Sequence, residues 1–211
     1  MNKHLTTPSR KKILEHFDRN DSKIATVIRS VGPFKLRYNR KYFQVLCKAI
    51  IAQQISTIAA EAVTNRFYNL FERRLPTPER VFALSQGQLQ EAGLSRQKAS
   101  YLKDLSKHFI DKFIKPHRLP YLSNEDIIQQ LTAVHGIGRW TADMFLIFSL
   151  HRLDILPVGD LGFRAALKKI YKLKKLPTAK KIRQMAKPWN PWETIATWYC
   201  WRTLDAKIIR Y

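Results

Sequence analysis

The sequence predicts an all-α protein, and three observations carry that prediction. Apolar residues recur with the helical period of about 3.6 through most of the 211 residues. Alternating, strand-like patterns are almost absent. The breaks in the helical pattern fall at proline, glycine and capping residues, the chemistry that ends one helix and starts the next.

Taken in order, Ile13 to Val31 is a first helical region, stopped by Gly32-Pro33. Tyr42 to Ile51 is a second, strongly apolar through Phe43, Leu46, Ala49 and Ile50. Residues 56 to 72 form a third, which ends before Leu75-Pro76-Thr77-Pro78 because proline lacks the amide hydrogen and clashes with the preceding turn. Short helices are predicted around 79–85 and 86–92, with Gly93 just past the end. Gln97 to Phe113 resumes the pattern. Ser123 followed by Asp126 has the form of a capping box, and the helix it opens carries Ile127, Ile128, Leu131 and Val134 on one side. A helix from about Arg139 to His151 comes next, then Pro157 and Gly159 in a loop, then a helix from about Leu161 to Tyr171. A lysine-rich linker and one or two C-terminal helices close the chain.

Apolar residues make up 45% of the sequence, enough to build a core and to exclude a disordered chain. The charge is extreme: 38 Lys+Arg against 16 Asp+Glu leave a formal +22. Such a surplus calls for an anionic partner, nucleic acid first and an acidic membrane surface second. The longest apolar run, Met144 to Leu150, is broken by Ser149 and is too short to span a bilayer. No apolar segment follows the charged N-terminus, so no signal peptide and no membrane partner are expected. Cys47 and Cys200 each lie in an apolar helical pattern, which fits a reducing, intracellular setting and cannot supply a cysteine-ligated cluster.

One stretch asks for more than packing. In "LTAVHGIGRWTAD", Gly136-Ile137-Gly138 joins the helix ending near Val134 to the one starting at Arg139. Glycines there allow positive φ and the close approach of a foreign backbone. The second helix offers free amides and the positive end of its dipole, which suits a phosphate, and Arg139 and the Thr141 hydroxyl are placed to add to it. A tight turn between two core helices is the plain alternative. Asp160 lies 20 residues after Trp140, at a predicted helix start where aspartate is a good N-cap.

With these segments together, "VHGIGRWTADMF" resembles the helix-hairpin-helix of the DNA glycosylase superfamily, and "LPVGDLGFRAAL" resembles that superfamily's Gly/Pro-Asp loop. "AIIAQQIS", "GLSRQKASYL" and "KPWNPWETIATWYCW" are similar to segments of its alkylbase branch, 3-methyladenine DNA glycosylase II. The resemblance runs from about Ile24 to Trp201. It implies a two-lobed helix-hairpin-helix DNA glycosylase fold, with the active site in a cleft between lobes. Residues of about 40–150 would carry the wedge loop and hairpin; 1–39 with about 151–211 would carry the aspartate loop.

The resemblance also assigns roles. Asp160 matches the catalytic aspartate, where a carboxylate stabilises the positive charge that grows on the sugar as the N-glycosidic bond breaks. Asp154 and Asp143 are read as structural. Trp140 and Trp201 match the pocket for the flipped base, with Met144 at a lining position that is often tyrosine; a tryptophan face attracts a cationic methylated base. Trp189, Trp192 and Trp198 are assigned to the core. Gln54, with Gln53 or Ile55, matches the wedge that fills the gap left by the base. Relatives that also cut the strand carry a lysine where Trp140 stands, so the resemblance implies a monofunctional enzyme that uses water and needs no cofactor.

Main-chain carbonyls of Thr132 and Val134 match a monovalent-cation site, Na+ or K+. His135 departs from the pattern, since many relatives have proline before the first glycine. Gly136, Gly138, Arg139 and Thr141 match the DNA-backbone grip. Between Leu161 and Trp192 there are ten basic residues and no acidic one, and Lys168, Lys169 and Lys172 lead this expected backbone track. The expected partner is double-stranded DNA with alkylated bases, bound by a monomer. A glycosylase for oxidised or mismatched bases, a non-catalytic binder of DNA structure and an RNA- or ribosome-associated protein remain as alternatives.

Overall fold

The computed structural model describes residues 7–204. Among them the regular structure is helical, with three short 3₁₀ turns and no strand. In chain order the helices are α1 (Arg10–Asn20), α2 (Ser22–Val31), α3 (Tyr42–Ala52), α4 (Thr57–Asn69), α5 (Pro78–Ala83), α6 (Gln86–Glu91), α7 (Arg96–Ile110), α8 (Asn124–Thr132), α9 (Arg139–Phe148), α10 (Leu161–Ile170), α11 (Ala179–Ala186) and α12 (Glu193–Arg202). The chain divides into two compact units, Met1–Tyr38 with Leu146–Tyr211, and Asn39–Phe145.

In the unit holding the termini, the first helical region is two helices, not one. Asp21 breaks it: its N–H closes α1 on the Phe17 carbonyl, while its Oδ1 accepts the Ile24 N–H at 3.2 Å and opens α2. The other carboxylate oxygen accepts the Trp189 indole N–H at 2.8 Å and the Tyr171 hydroxyl. Helix α12 packs on α2 and α10 and is buried continuously from Thr194 to Trp201, the pattern of a core helix. Its Thr194 hydroxyl donates to the Arg152 carbonyl at 2.9 Å and accepts the Ile155 N–H at 3.0 Å. That pins the chain leading to Asp160. Trp189 and Trp198 lie in this core, while Trp192 is half-buried.

In the other unit, α3 buries Phe43, Leu46, Cys47, Ile50 and Ile51 and packs against α4 and α7. Each such side chain contributes about 1.5–3 kcal/mol on burial. Helices α5 and α6 have six residues each, well below the length that stands alone in water. They hold because Val81 and Leu89 are fully buried, with both helices packed on α7. Gly93 follows α6 at φ +91°, as expected of a residue ending a helix. Both thiols are buried, and burial pushes them well above the ordinary cysteine range. No helix among the described residues is long and apolar enough to cross a membrane.

Candidate functional site

Helices α8 and α9 meet through residues 133–138. Ser123 caps α8, its hydroxyl accepting the Asp126 N–H at 3.1 Å. After α8 ends, the Val134 carbonyl takes the Ile137 N–H at 3.1 Å, and the Gly138 carbonyl takes the Ala142 N–H at 3.1 Å as the first bond of α9. Gly136 sits at φ +84°, and a Cβ there would lie 2.1 Å from the Tyr101 ring. Only glycine satisfies both conditions. Around Gly138 a Cβ would meet nothing within 4 Å, so the chain is open to an approaching group there. The first amides of an α-helix have no acceptor within that helix, which suits a helix start for anion binding.

Two residues assigned to this grip are placed differently from the expectation. The Arg139 guanidinium makes a two-point ion pair with Glu125, at 2.9 and 3.1 Å, and a third bond from Nε to Asp143 at 3.1 Å. Its charge is spent inside the hairpin, bracing α8 against α9. Burial lifts the Asp143 carboxyl above the ordinary carboxylate range, more than Arg139 lowers it. Thr141 is buried. Both side chains are thus engaged or covered, Arg139 by its ion pairs and Thr141 by burial.

The turn after α3 carries the wedge candidates. Gln54 is exposed at φ +57°, a left-handed conformation that is uncommon outside glycine. Ile55 is exposed beside it. Gln53 is engaged in this structure, its amide nitrogen donating to the Gly136 carbonyl at 2.7 Å. Ile58, the second residue of α4 and 81% exposed, is an apolar side chain on this surface that the sequence pattern did not single out.

Asp160 is the N-cap of α10, as its position suggests, and it is 3% exposed. Its Oδ1 accepts two bonds, from the Phe163 N–H at 2.6 Å and from the Trp201 indole N–H at 2.9 Å. Gly162 makes room for this, since a Cβ there would stand 3.3 Å from the same oxygen. Asp154 is exposed, in contrast. Trp201, the donor of the second bond, is 2% exposed, with its ring stacked on Phe148 at 5.9 Å between centroids. Trp140 is 41% exposed and Met144 is buried. Phe148 escaped notice in the sequence, although Trp140, Met144 and Phe148 share the i, i+4, i+8 spacing on α9.

Lys168 and Lys172 are exposed on and just after α10. Lys169 is engaged, donating from Nζ to the Thr203 carbonyl at 2.6 Å, and Arg164 donates to the Pro177 carbonyl at 3.1 Å. Among the described residues no group of three or more His, Cys, Asp or Glu side chains could hold a metal ion.

A family model for HhH-GPD superfamily base excision DNA repair proteins matches residues 47–191, and the chain belongs to that superfamily. Within it, the chain is similar to the DNA-3-methyladenine glycosylase 1 of Schizosaccharomyces pombe, at 32% identity over 90% of this chain and 84% of that protein. A solved 3-methyladenine DNA glycosylase of Schizosaccharomyces pombe in complex with abasic DNA superposes with a TM-score of 0.82 at 31% identity, covering 94% of this chain and 100% of the other. The DNA-3-methyladenine glycosidase structure from Bacillus halodurans gives 0.85 at 32% identity, covering 98% and 94%.

Proposed function

We propose that this chain is a monofunctional DNA glycosylase that flips alkylated bases out of duplex DNA and hydrolyses their N-glycosidic bond, leaving an abasic site for base excision repair. The observation that carries the reading is Asp160, a buried carboxylate oriented through one oxygen by a backbone N–H and an indole N–H. The names of the similar proteins, 3-methyladenine glycosylases, agree with it.

In this reading, methylation at N3 of adenine or N7 of guanine makes the base cationic, so it leaves as a neutral molecule with the bonding electron pair. The positive charge passes to the sugar, where the Asp160 carboxylate stabilises it. Water adds at the sugar carbon and gives up a proton, with Asp160 as the acceptor. Trp140 replaces the amine that would form a Schiff base, so the strand stays intact. Trp140 offers its face to the cationic base, and Gln54 with Ile55 fills the gap in the stack. The hairpin amides hold one phosphate, and Lys168 and Lys172 extend the contact along the backbone.

No cofactor enters this chemistry. The carbonyls of Thr132 and Val134 lie at the C-terminal, negative end of α8. A carbonyl oxygen carries two lone pairs, so neutral oxygens of this kind suit Na+ or K+, which would add positive charge beside the phosphate. The enzyme acts as a monomer inside the cell.

The test is base release from methylated duplex DNA, with chromatographic identification of the freed bases and a gel for strand breaks. Release of 3-methyladenine or 7-methylguanine with intact strands is the expected result. Salt-sensitive binding without release would turn the reading towards a non-catalytic DNA binder, and release of only oxidised or mismatched bases towards the other glycosylase class.

A further inference from the structure

The hairpin turn is held by side chains from two other elements. Asp104 on α7 accepts the His135 backbone N–H at 2.8 Å, and the same oxygen bonds the His135 Nδ1 at 2.8 Å. Gln53, at the end of α3, donates to the Gly136 carbonyl at 2.7 Å. Tyr101, three residues before Asp104 on α7, packs against Gly136 from the side a Cβ would occupy. The N–H entering the turn and the carbonyl leaving the first glycine are therefore both fixed, with a ring closing the remaining side.

A proline at position 135 would stiffen this turn through its own ring and would have no N–H. Here the N–H is present, and Asp104 holds it. Gln53 is also the residue directly before Gln54, so its bond to Gly136 joins the exposed turn after α3 to the hairpin.

We infer that Asp104 and Gln53 are positioning residues for DNA binding, which set the hairpin turn in its phosphate-accepting form before DNA arrives. The inference rests on the proposed role of the hairpin as the phosphate grip. Neither residue touches the reacting atoms. A turn ordered in advance removes an entropic cost from association, so loosening it weakens binding and leaves the chemistry of the bound complex alone.

The experiment is single-turnover release of 7-methylguanine from methylated duplex, titrated with enzyme, for wild type, Asp104→Ala, Asp104→Asn and Gln53→Ala, with a thermal melt of each. Asp104→Ala and Gln53→Ala are expected to raise the half-saturating enzyme concentration by about 5- to 30-fold. The rate at saturation stays within about twofold of wild type. Asp104→Asn recovers most of the affinity, because its amide oxygen still accepts the His135 N–H. A role confined to stability would lower the melting temperature and leave half-saturation where it was. Unchanged half-saturation in the alanine variants, or a loss confined to the saturating rate, overturns the inference. If wild type releases no methylated base, the glycosylase reading falls and this inference falls with it. Release by wild type with unmoved variants fells the inference alone. Should Asp104→Ala fail to fold, Gln53→Ala and Asp104→Asn make the same comparison.

Discussion

At Asp160 two donors converge on one carboxylate oxygen, and each has a separate consequence. Asp160→Asn keeps the shape and removes the charge, so base release is expected to fall by about 10²–10³-fold while DNA affinity holds or rises. Single-turnover release beside equilibrium binding reads both. Trp201→Phe separates two roles of one ring, since phenylalanine keeps an aromatic face and loses the N–H bonded to Asp160. A fall in the saturating rate of about tenfold or more is expected from the loss of a hydrogen bond to a charged group. Full activity in that variant would return Trp201 to a stacking role. Trp140→Lys puts a cation where a cationic base would lie; unaltered release of methylated bases would remove Trp140 from the pocket.

The hairpin shows what an element adds. Gly136→Ala forces a Cβ into the Tyr101 ring at φ +84°, where an L side chain is already strained. Melting and DNA binding should both suffer, at an overpacking cost of about 1–3 kcal/mol. Asp104 supplies a pH test of the same turn. Burial alone would raise its carboxyl, yet the two bonds from His135, with the charges of His135 and His108, hold it below the ordinary range. A carboxyl depressed by folding contributes stability that is present above its unfolded value of about 3.9 and is lost as pH falls through the lower folded value. Melting curves taken downward from about pH 5 should show wild type losing a margin that Asp104→Asn lacks throughout. A parallel decline in both proteins would mean that the pair contributes nothing to stability.

On the scale of the whole molecule the charge dominates, since a formal +22 on 211 residues is far more than a fold requires. Binding to undamaged duplex should weaken steeply with salt, and replacing Lys168 and Lys172 together by glutamine should flatten the log–log slope by about two. Lys169→Gln should change the slope less, because its ammonium is tied to the Thr203 carbonyl. Equal slopes for wild type and the double variant would place the DNA track elsewhere.

Much of the fold was legible in the sequence, because helical periodicity, caps and proline breaks are local. Ser123 as a cap, Gly93 past a helix end and Asp160 at the start of α10 were readable within a few residues. The break at Asp21 was not, since the apolar period runs straight across it and the residues that hold its carboxylate, Tyr171 and Trp189, lie far along the chain. The glycine spacing, the absent lysine at 140 and the basic stretch were likewise written in the sequence alone. Tertiary structure decided which partner each polar side chain takes: Arg139 goes to Glu125 and Asp143, Gln53 to Gly136, Asp104 to His135, Trp201 to Asp160. Backbone conformation follows from neighbours in sequence, whereas a buried donor bonds whatever acceptor the packed chain brings within about 3 Å of it.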